Sequence, residues 1–521
     1  MSHVVNEFLP GNLPEGNETD PFQKQPEISI GLPTGTRKVK TSEGIKIIPD
    51  TIRQQCSSEV YMMYEDHLEE TNQKHLSLAK SSVFSILNIC AATDRKATTC
   101  VDYFIANGLH AFDELHRILK EWFSEDLISE DVQKAVARKL YELLQYLRTD
   151  FWLHVKRNSR IPDHCANFAL SDPFDSNFAS SCSSGPHAHS HDFKCGRCES
   201  GNATLTDMID MAMALIEKAK EIVNSEKPKP SETHKKLLEK RQEELDLIKK
   251  YVKDIFEMKK HLLRAAFTSQ ERQEIINSLK DNEALLTLDF AQKYLPTWHR
   301  ETQTDYFAKK GISYHVGHVT AKIGDKYVQH TFVHIYNGEV AQDAKLVVQT
   351  VSHIIAELKK VGIKVVSLRS DNAGAYHSAA TIQSLPSLMK EHGVTIKSYT
   401  FSEAQNGKSA SDRAASLVKY RAERYVNKGG NILTSAHFFE AMKSEPILKG
   451  FSFHHGSVET EETETAKWSG ISNLNHFDIE KDQIRAFKYG GIGKGVVLDE
   501  KKMNPLKGTN SFVDTGFVAK D

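Results

Sequence analysis

The stretch that most constrains this chain is Ser367 to Tyr376. There an apolar run from Ile363 to Leu368 ends in Asp371, Asn372 and Gly374. Such a run, opened by Gly362 and closed by a carboxylate, an amide and a glycine, reads as a buried strand emptying into a turn. A strand end holds side chains rigidly, so Asp371 is a candidate for chemistry. A second strand-borne acid lies upstream in Leu285–Asp289–Phe290. A third lies downstream, between Ser402 and Arg413. Three acids from three elements are a donor set for two divalent metals.

The intervening elements follow from period. Gly311–Ile323 and Lys326–Tyr336 are β-rich runs joined by Gly324-Asp325, a hairpin signal in which Gly supplies the positive φ. From Ala341 to Lys360 the apolar residues Ala344, Val347, Val348, Val351, Ile354, Ile355 and Leu358 fall at helical spacing. A short helix near Thr381–His392, a strand Thr395–Phe401 and a helix from about Lys408 to Asn427 complete the series. Lys428-Gly429-Gly430 caps the last helix. The order is βββαβαβα, the plan of the RNase H-like fold. In that fold the first and fourth strands are neighbours, which would bring Asp289 to Asp371. On the last helix Asp412 shares a face with Lys408 and Lys419. Acids that hold metal beside lysines suit a phosphodiester substrate.

The piece Phe401-Ser-Glu-Ala-Gln-Asn-Gly-Lys408 resembles the S-P-x-x-N-G-K stretch before the last catalytic acid of retroviral integrases and DDE transposases. The segment Asp371-Asn-Ala-Gly-Ala-Tyr-His377, with Gly407-Lys408 and Ser411-Asp412-Arg413, is similar to a group of uncharacterised animal proteins of transposon-derived type. That likeness extends over roughly residues 75 to 500. It includes Ala91–Lys96, Asp163–Asp172 and Asp289–Pro296. The resemblance implies a metal-dependent core acting on DNA. One departure stands out: integrases place the last acid three residues after the glycine, where this chain has Ala410. Two further residues turn a helix by about 200°, so the third ligand is open between Asp412 and Glu403. Asn372 and His377 are expected as outer or substrate contacts. His315 and His318 are expected to pack.

Ahead of this core, residues 1–50 are rich in Gly, Pro, Asn and Glu without a period and are expected to be a disordered arm. Residues 51–160 read as a helical domain, with stripes at Val83, Ile86, Leu87 and Cys90 and at Phe104 to Leu119. Residues 161–200 hold four of the seven cysteines. Cys195-x-x-Cys198 has the spacing that gives two thiolates to one zinc tetrahedron. Cys182, His189 or His191, and Cys165 supply the rest, so one structural Zn²⁺ is expected. Residues 201–280 form a helical hairpin, 281–430 the catalytic core and 431–521 a helix and strand extension. Gly490–Gly495 fails the Walker spacing and is read instead as a turn needing positive φ.

Composition sets bounds. Of 521 residues, 39% are hydrophobic and 26% charged, with net charge −2, so any nucleic-acid surface must be local. Without an apolar span or a signal, the chain is expected to be soluble, intracellular and nuclear. The reading that results is a transposase- or integrase-like nuclease or strand transferase on DNA, using Mg²⁺ or Mn²⁺ at Asp289, Asp371 and Asp412 or Glu403, with homo-oligomerisation open. Two alternatives remain: a catalytically silent DNA-binding scaffold, and an RNase H-like nuclease on RNA or hybrid.

Overall fold

The computed structural model describes residues 29–41, 44–53, 61, 64, 68, 75, 77–89, 92–94, 102–180, 182–183, 188–225, 231–307, 309–403, 410–458, 467–506 and 512–520. Two compact units result: Met1–Cys165 with His191–Ala266, and Ala166–Ser190 with Phe267–Asp521. Among the described residues, no helix is long and apolar enough to cross a membrane.

The first unit opens differently from expectation. Ser29–Thr41 (β1) and Gly44–Arg53 (β2) pair antiparallel, and Ala92–Asp94 (β3) adds in parallel to β2. The expected disordered arm is therefore corrected over 29–53, while residues 1–28 lie outside the described residues. Its high Gly and Pro content hid a two-strand alternation around Lys38-Val39-Lys40 and Ile45-Lys46-Ile47. The helices are Lys80–Ile89 (α1), Tyr103–Ser124 (α2), Glu130–Thr149 (α3), Gly196–Ser225 (α4) and Glu232–Ser278 (α5), the last continuing into the second unit. Asp102 caps α2 by accepting from the Phe104 and Ile105 amides, and Ser129 caps α3. Phe112, Leu115, Leu119 and Trp122 from α2, Leu140 and Leu147 from α3, Met208 from α4, and Ile248, Ile255 and Met258 from α5 are buried. At Gly201 an added Cβ would meet Leu143 at 2.4 Å, so α4 and α3 pack at glycine distance.

The second unit is a mixed α/β layer structure around a ten-stranded sheet. Its strands are Glu283–Phe290 (β4), Tyr314–Ile323 (β5), Lys326–Tyr336 (β6), Val365–Ser370 (β7), Thr395–Phe401 (β8), Phe451–Ser457 (β9), His476–Ile479 (β10), Gln483–Phe487 (β11), Val496–Asp499 (β12) and Val513–Lys520 (β13). The order is β12-β11-β10-β8-β7-β4-β5-β6-β9-β13. Among the five central strands the order is third, second, first, fourth, fifth, so the first and fourth are neighbours as expected. Five further strands extend both edges. The sequence leads to a helix and strand extension here without placing the strands, and β10 to β12 are too short for a period to show.

Helices Ala344–Lys360 (α6) and Ala379–His392 (α7) cover one face, where Leu286, Leu288, Val351, Ile355, Val366 and Leu368 share a core. Helices Ala410–Asn427 (α8) and Ser435–Lys443 (α9) cover the other, with Tyr314, Val316, Val333, Val418 and Phe438. The Gly324-Asp325 turn forms with Gly324 at φ 57°, and Gly493 takes φ 80° where a Cβ would strike the Asn177 carbonyl at 2.2 Å.

A polar network crosses the second face. His476 lies 2.8 Å through Nδ1 from Glu271 and 2.9 Å through Nε2 from Asp478. Both nitrogens donate, so the ring is cationic. Burial opposes that charge, but the two carboxylates outweigh it and push the pKa up from 6.5 to about 9. A raised pKa means that the stabilisation is full below 6.5 and is lost as pH rises through about 9. His476→Gln is expected to cost about 2–3 kcal/mol at pH 6 and far less at pH 10. Denaturant midpoints at the two pH values check this; an equal cost at both would contradict it.

Candidate functional site: an acidic strand end and cysteine–histidine groups

Strands β4 and β7 run parallel and in register up to Thr287 opposite Arg369. β4 continues beyond this pair through Asp289, and β7 ends at Ser370, one residue before Asp371, so both acids lie at the same end of neighbouring strands. The third acid arrives from the covering helix. Ser411 donates to the Thr287 carbonyl at 3.0 Å, which pins the first turn of α8 on β4. Asp412 follows, and its carboxyl hydrogen-bonds that of Asp289.

The electrostatics carry the signature of this convergence. Burial first, then the Asp412 and Asp371 charges and a hydrogen bond that the protonated Asp289 carboxyl donates to Asp412, push the Asp289 carboxyl up to about 7. Asp371 is raised mainly by burial, with Asp412 adding to it and the Ala373 amide, 3.1 Å from Oδ1, opposing. Asp289 is thus coupled to both other acids. The trio is not among the described groups whose donor atoms all lie within 4.8 Å of one another. In this arrangement one ion does not take all three.

Two orphaned polar atoms face this region. The Tyr314 hydroxyl, on a fully buried ring close enough to Asp289 to feel its charge, has no hydrogen-bond partner among the described residues. Asn372 donates its amide to Ser402 O at 3.2 Å and to Asn475 Oδ1 at 3.3 Å, which leaves its own buried Oδ1 without a partner. A cation or a hydroxyl would satisfy either atom.

The other predicted residues separate. Glu403 lies two residues after the end of β8 and is not among the groups acting on Asp289 or Asp371. His377 meets the Leu474 carbonyl through Nε2 at 2.6 Å, and its ring stacks on Phe401 at 4.3 Å. Lys419 donates to Gln292 at 3.2 Å and lines an open groove of about 490 Å³ with Lys293, Tyr294, Glu423 and Asn427. Lys408 lies outside the described residues. Arg413 comes close to Arg272 and His318. Burial, then Arg413 and Arg272, lowers His318 to about 4. His315 packs fully buried with both nitrogens unpartnered among the described residues.

The cysteine–histidine segment differs from the single zinc expected. Within the loop from Cys165 to His191, one donor atom each of Cys165, Cys182, His189 and His191 lies within 4.8 Å of the others. Cys195 and Cys198 instead group with His164, also within 4.8 Å. The six predicted donors therefore fall into two sets, because Cys195 and Cys198 sit at the start of α4 while His164 is carried by the turn Pro162–His164. Both sets could hold a metal ion such as zinc. The Tyr146 hydroxyl bonds His164 at 2.8 Å and approaches Cys198 and Cys195 at 3.4 and 3.6 Å. Burial raises the Cys195 thiol, but the Cys198 and Arg197 amides at the helix start and the Tyr146 hydroxyl bring it below its ordinary value. Burial holds Cys198 up at about 12. His164 and Tyr146 were missed by sequence reasoning, although His164 sits inside the Asp163-His164-Cys165 run that signals the segment.

A family model described as a domain of unknown function, DUF8701, matches residues 268–472. No curated protein and no solved structure matches the chain. The matched stretch contains β4 to β9, α6 to α9 and all three acids, and ends before β10.

Proposed function

We propose that the second unit contains an RNase H-like core of transposase or integrase type, which cleaves or joins DNA phosphodiesters with two divalent ions. The observation that carries this is that Asp371, just past the end of β7, and Asp412, in the first turn of α8, both act on the Asp289 carboxyl near the end of the neighbouring parallel strand β4. The strand order from β4 to β8 supports the same fold. The donor set fits the ions: three carboxylates, one raised by its neighbours, and the free Asn372 Oδ1 are hard oxygen donors for Mg²⁺ or Mn²⁺. When bound, such ions activate a water or 3′-hydroxyl and neutralise the leaving oxygen. The protein's part is positional. The strands fix two carboxylates, Ser411 fixes the third, and Asn372 is oriented by Ser402 and Asn475. Lys293 and Lys419 offer cations along the groove for a phosphate backbone. We assign the cysteine–histidine groups to structural Zn²⁺, and a nuclear DNA partner follows from the proposed reaction.

The test is a panel of duplex DNA, RNA–DNA hybrid and RNA, incubated with the full chain in Mg²⁺, Mn²⁺ or EDTA. Metal-dependent cutting or joining of duplex DNA is expected. Cutting of hybrid or RNA alone would transfer the site to the RNA reading. DNA binding without turnover, and without Mn²⁺ uptake at the acids, would replace the enzyme with a silent scaffold.

A further inference from the structure

On the face of the sheet away from the acids, the structure assigns a second and unrelated metal site: His353 of α6, His454 of β9 and Asp514 of β13, supported by His334 of β6, take a divalent ion of the zinc class and clamp the last strand to the sheet. The donor atoms of His353, His454 and Asp514 lie within 4.8 Å of one another. They come from three elements distant in sequence, and the inference does not rest on the nuclease reading.

Strands β6 and β9 pair in parallel with His334 opposite His454, and the two rings stack at 5.0 Å and 14°. His334 Nε2 lies 3.0 Å from His353 Nδ1, a bond that fixes the His353 tautomer as an outer-shell partner does. His454 Nδ1 lies 2.7 Å from Asp514 Oδ2. Phe512 seals the group edge-on, 4.9 Å from His334 and 5.4 Å from His353.

As a hydrogen-bonded pile alone, this cluster is incomplete. His334 Nδ1 and His454 Nε2 are buried without a hydrogen-bond partner among the described residues, on rings 0% and 2% exposed. Each such atom costs about 1–3 kcal/mol. Neutral imidazole is the ligating form. Two imidazoles and one carboxylate suit Zn²⁺ rather than Mg²⁺ or Ca²⁺. An ion here would be held by one ring nitrogen each of His353 and His454 and one Asp514 oxygen. The reward is mechanical: β13 is an edge strand, and its register shifts between Asp514 and Gly516, beside the carboxylate that would be held.

The test is metal content of the full chain loaded with Zn²⁺, together with the absorption spectrum after Co²⁺ substitution. His454→Ala and Asp514→Asn are each expected to lower the count by one equivalent, or to weaken that equivalent at least tenfold. The thiolate-to-cobalt charge-transfer band of the cysteine groups should stay unchanged. Limited proteolysis should then release the C-terminal strand in the variants and not in the parent. If His454→Ala does not fold, Asp514→Asn decides, because its carboxyl lies at the sheet edge. An unchanged count and affinity in a folded Asp514→Asn variant, or a count fully accounted for by the cysteine groups, would overturn the site.

Discussion

Replacing Asp371 by asparagine is expected to lower Mg²⁺-dependent turnover on duplex DNA roughly a thousandfold or more, about 4 kcal/mol of transition-state stabilisation. The fold should not notice. Asn keeps an oxygen for the Ala373 amide that Asp371 now accepts at 3.1 Å, so the turn after β7 survives. The substitution also removes a charge that burial and Asp412 already disfavour. Asp289→Asn should match the loss of activity and go further in stability. The Asp289 carboxyl is pushed up to about 7, so its charge weighs against the folded state as pH rises from the ordinary value of 3.8 through 7. In EDTA at pH 8 the Asp289→Asn variant is therefore expected to melt no lower than the parent, and saturating Mn²⁺ should stabilise the parent alone. Asp412→Asn should behave as Asp371→Asn does, while Glu403→Gln should spare activity. Retained turnover in Asp371→Asn would remove the two-ion reading.

What the sequence made legible was whatever repeats a period or pins a turn. The alternation in Lys326–Tyr336, the helical stripe from Ala344 to Leu358 and the glycine at 324 each announce their element, and the order of elements brings Asp289 beside Asp371 before any coordinates. Elements without room for a period stayed hidden. Strands β10 to β12 are each four or five residues long and gain their conformation from the neighbour they pair with, a tertiary cause that local pattern does not carry. The β1–β2 pair was masked by its own Gly and Pro content.

The sites divide the same way. Cys195-x-x-Cys198 was readable because both thiols sit on one helix turn. Their partner His164 was not, because proximity there depends on how the Pro162–His164 turn meets Tyr146. His353, His454 and Asp514 carry no common motif at all; only the parallel pairing of β6 with β9 and the return of β13 bring them together. The surroundings of His377 were illegible for a related reason. A histidine six residues after a catalytic-type acid invites a functional reading, yet the turn between them rotates its ring onto Phe401 and the Leu474 carbonyl.

Cys198→Ser is expected to produce the largest loss of stability in the first unit. The set His164, Cys195, Cys198 joins the Pro162–His164 turn to the start of α4, and Tyr146 brings the end of α3 to the same point. Cys198 is buried, so serine would leave a hydroxyl where a thiolate and its ion belong. Structural zinc contributes on the order of 10 kcal/mol to peptides that fold only around it. In a unit with its own apolar core the share is smaller, and a loss of several kcal/mol is the expected result. Hydrogen exchange should rise in α3 and α4 and remain unchanged in β4 and β7, with Mn²⁺ uptake at the acids intact. Chelation of the parent should reproduce the pattern. Tyr146→Phe separates the two physical accounts of the group, because a phenyl ring keeps the packing and removes the hydroxyl. If the ion holds the elements together, Tyr146→Phe retains zinc and most of the stability. If it is no less damaging than Cys198→Ser, and the parent carries no zinc there, the hydroxyl alone organises the group and the metal assignment falls.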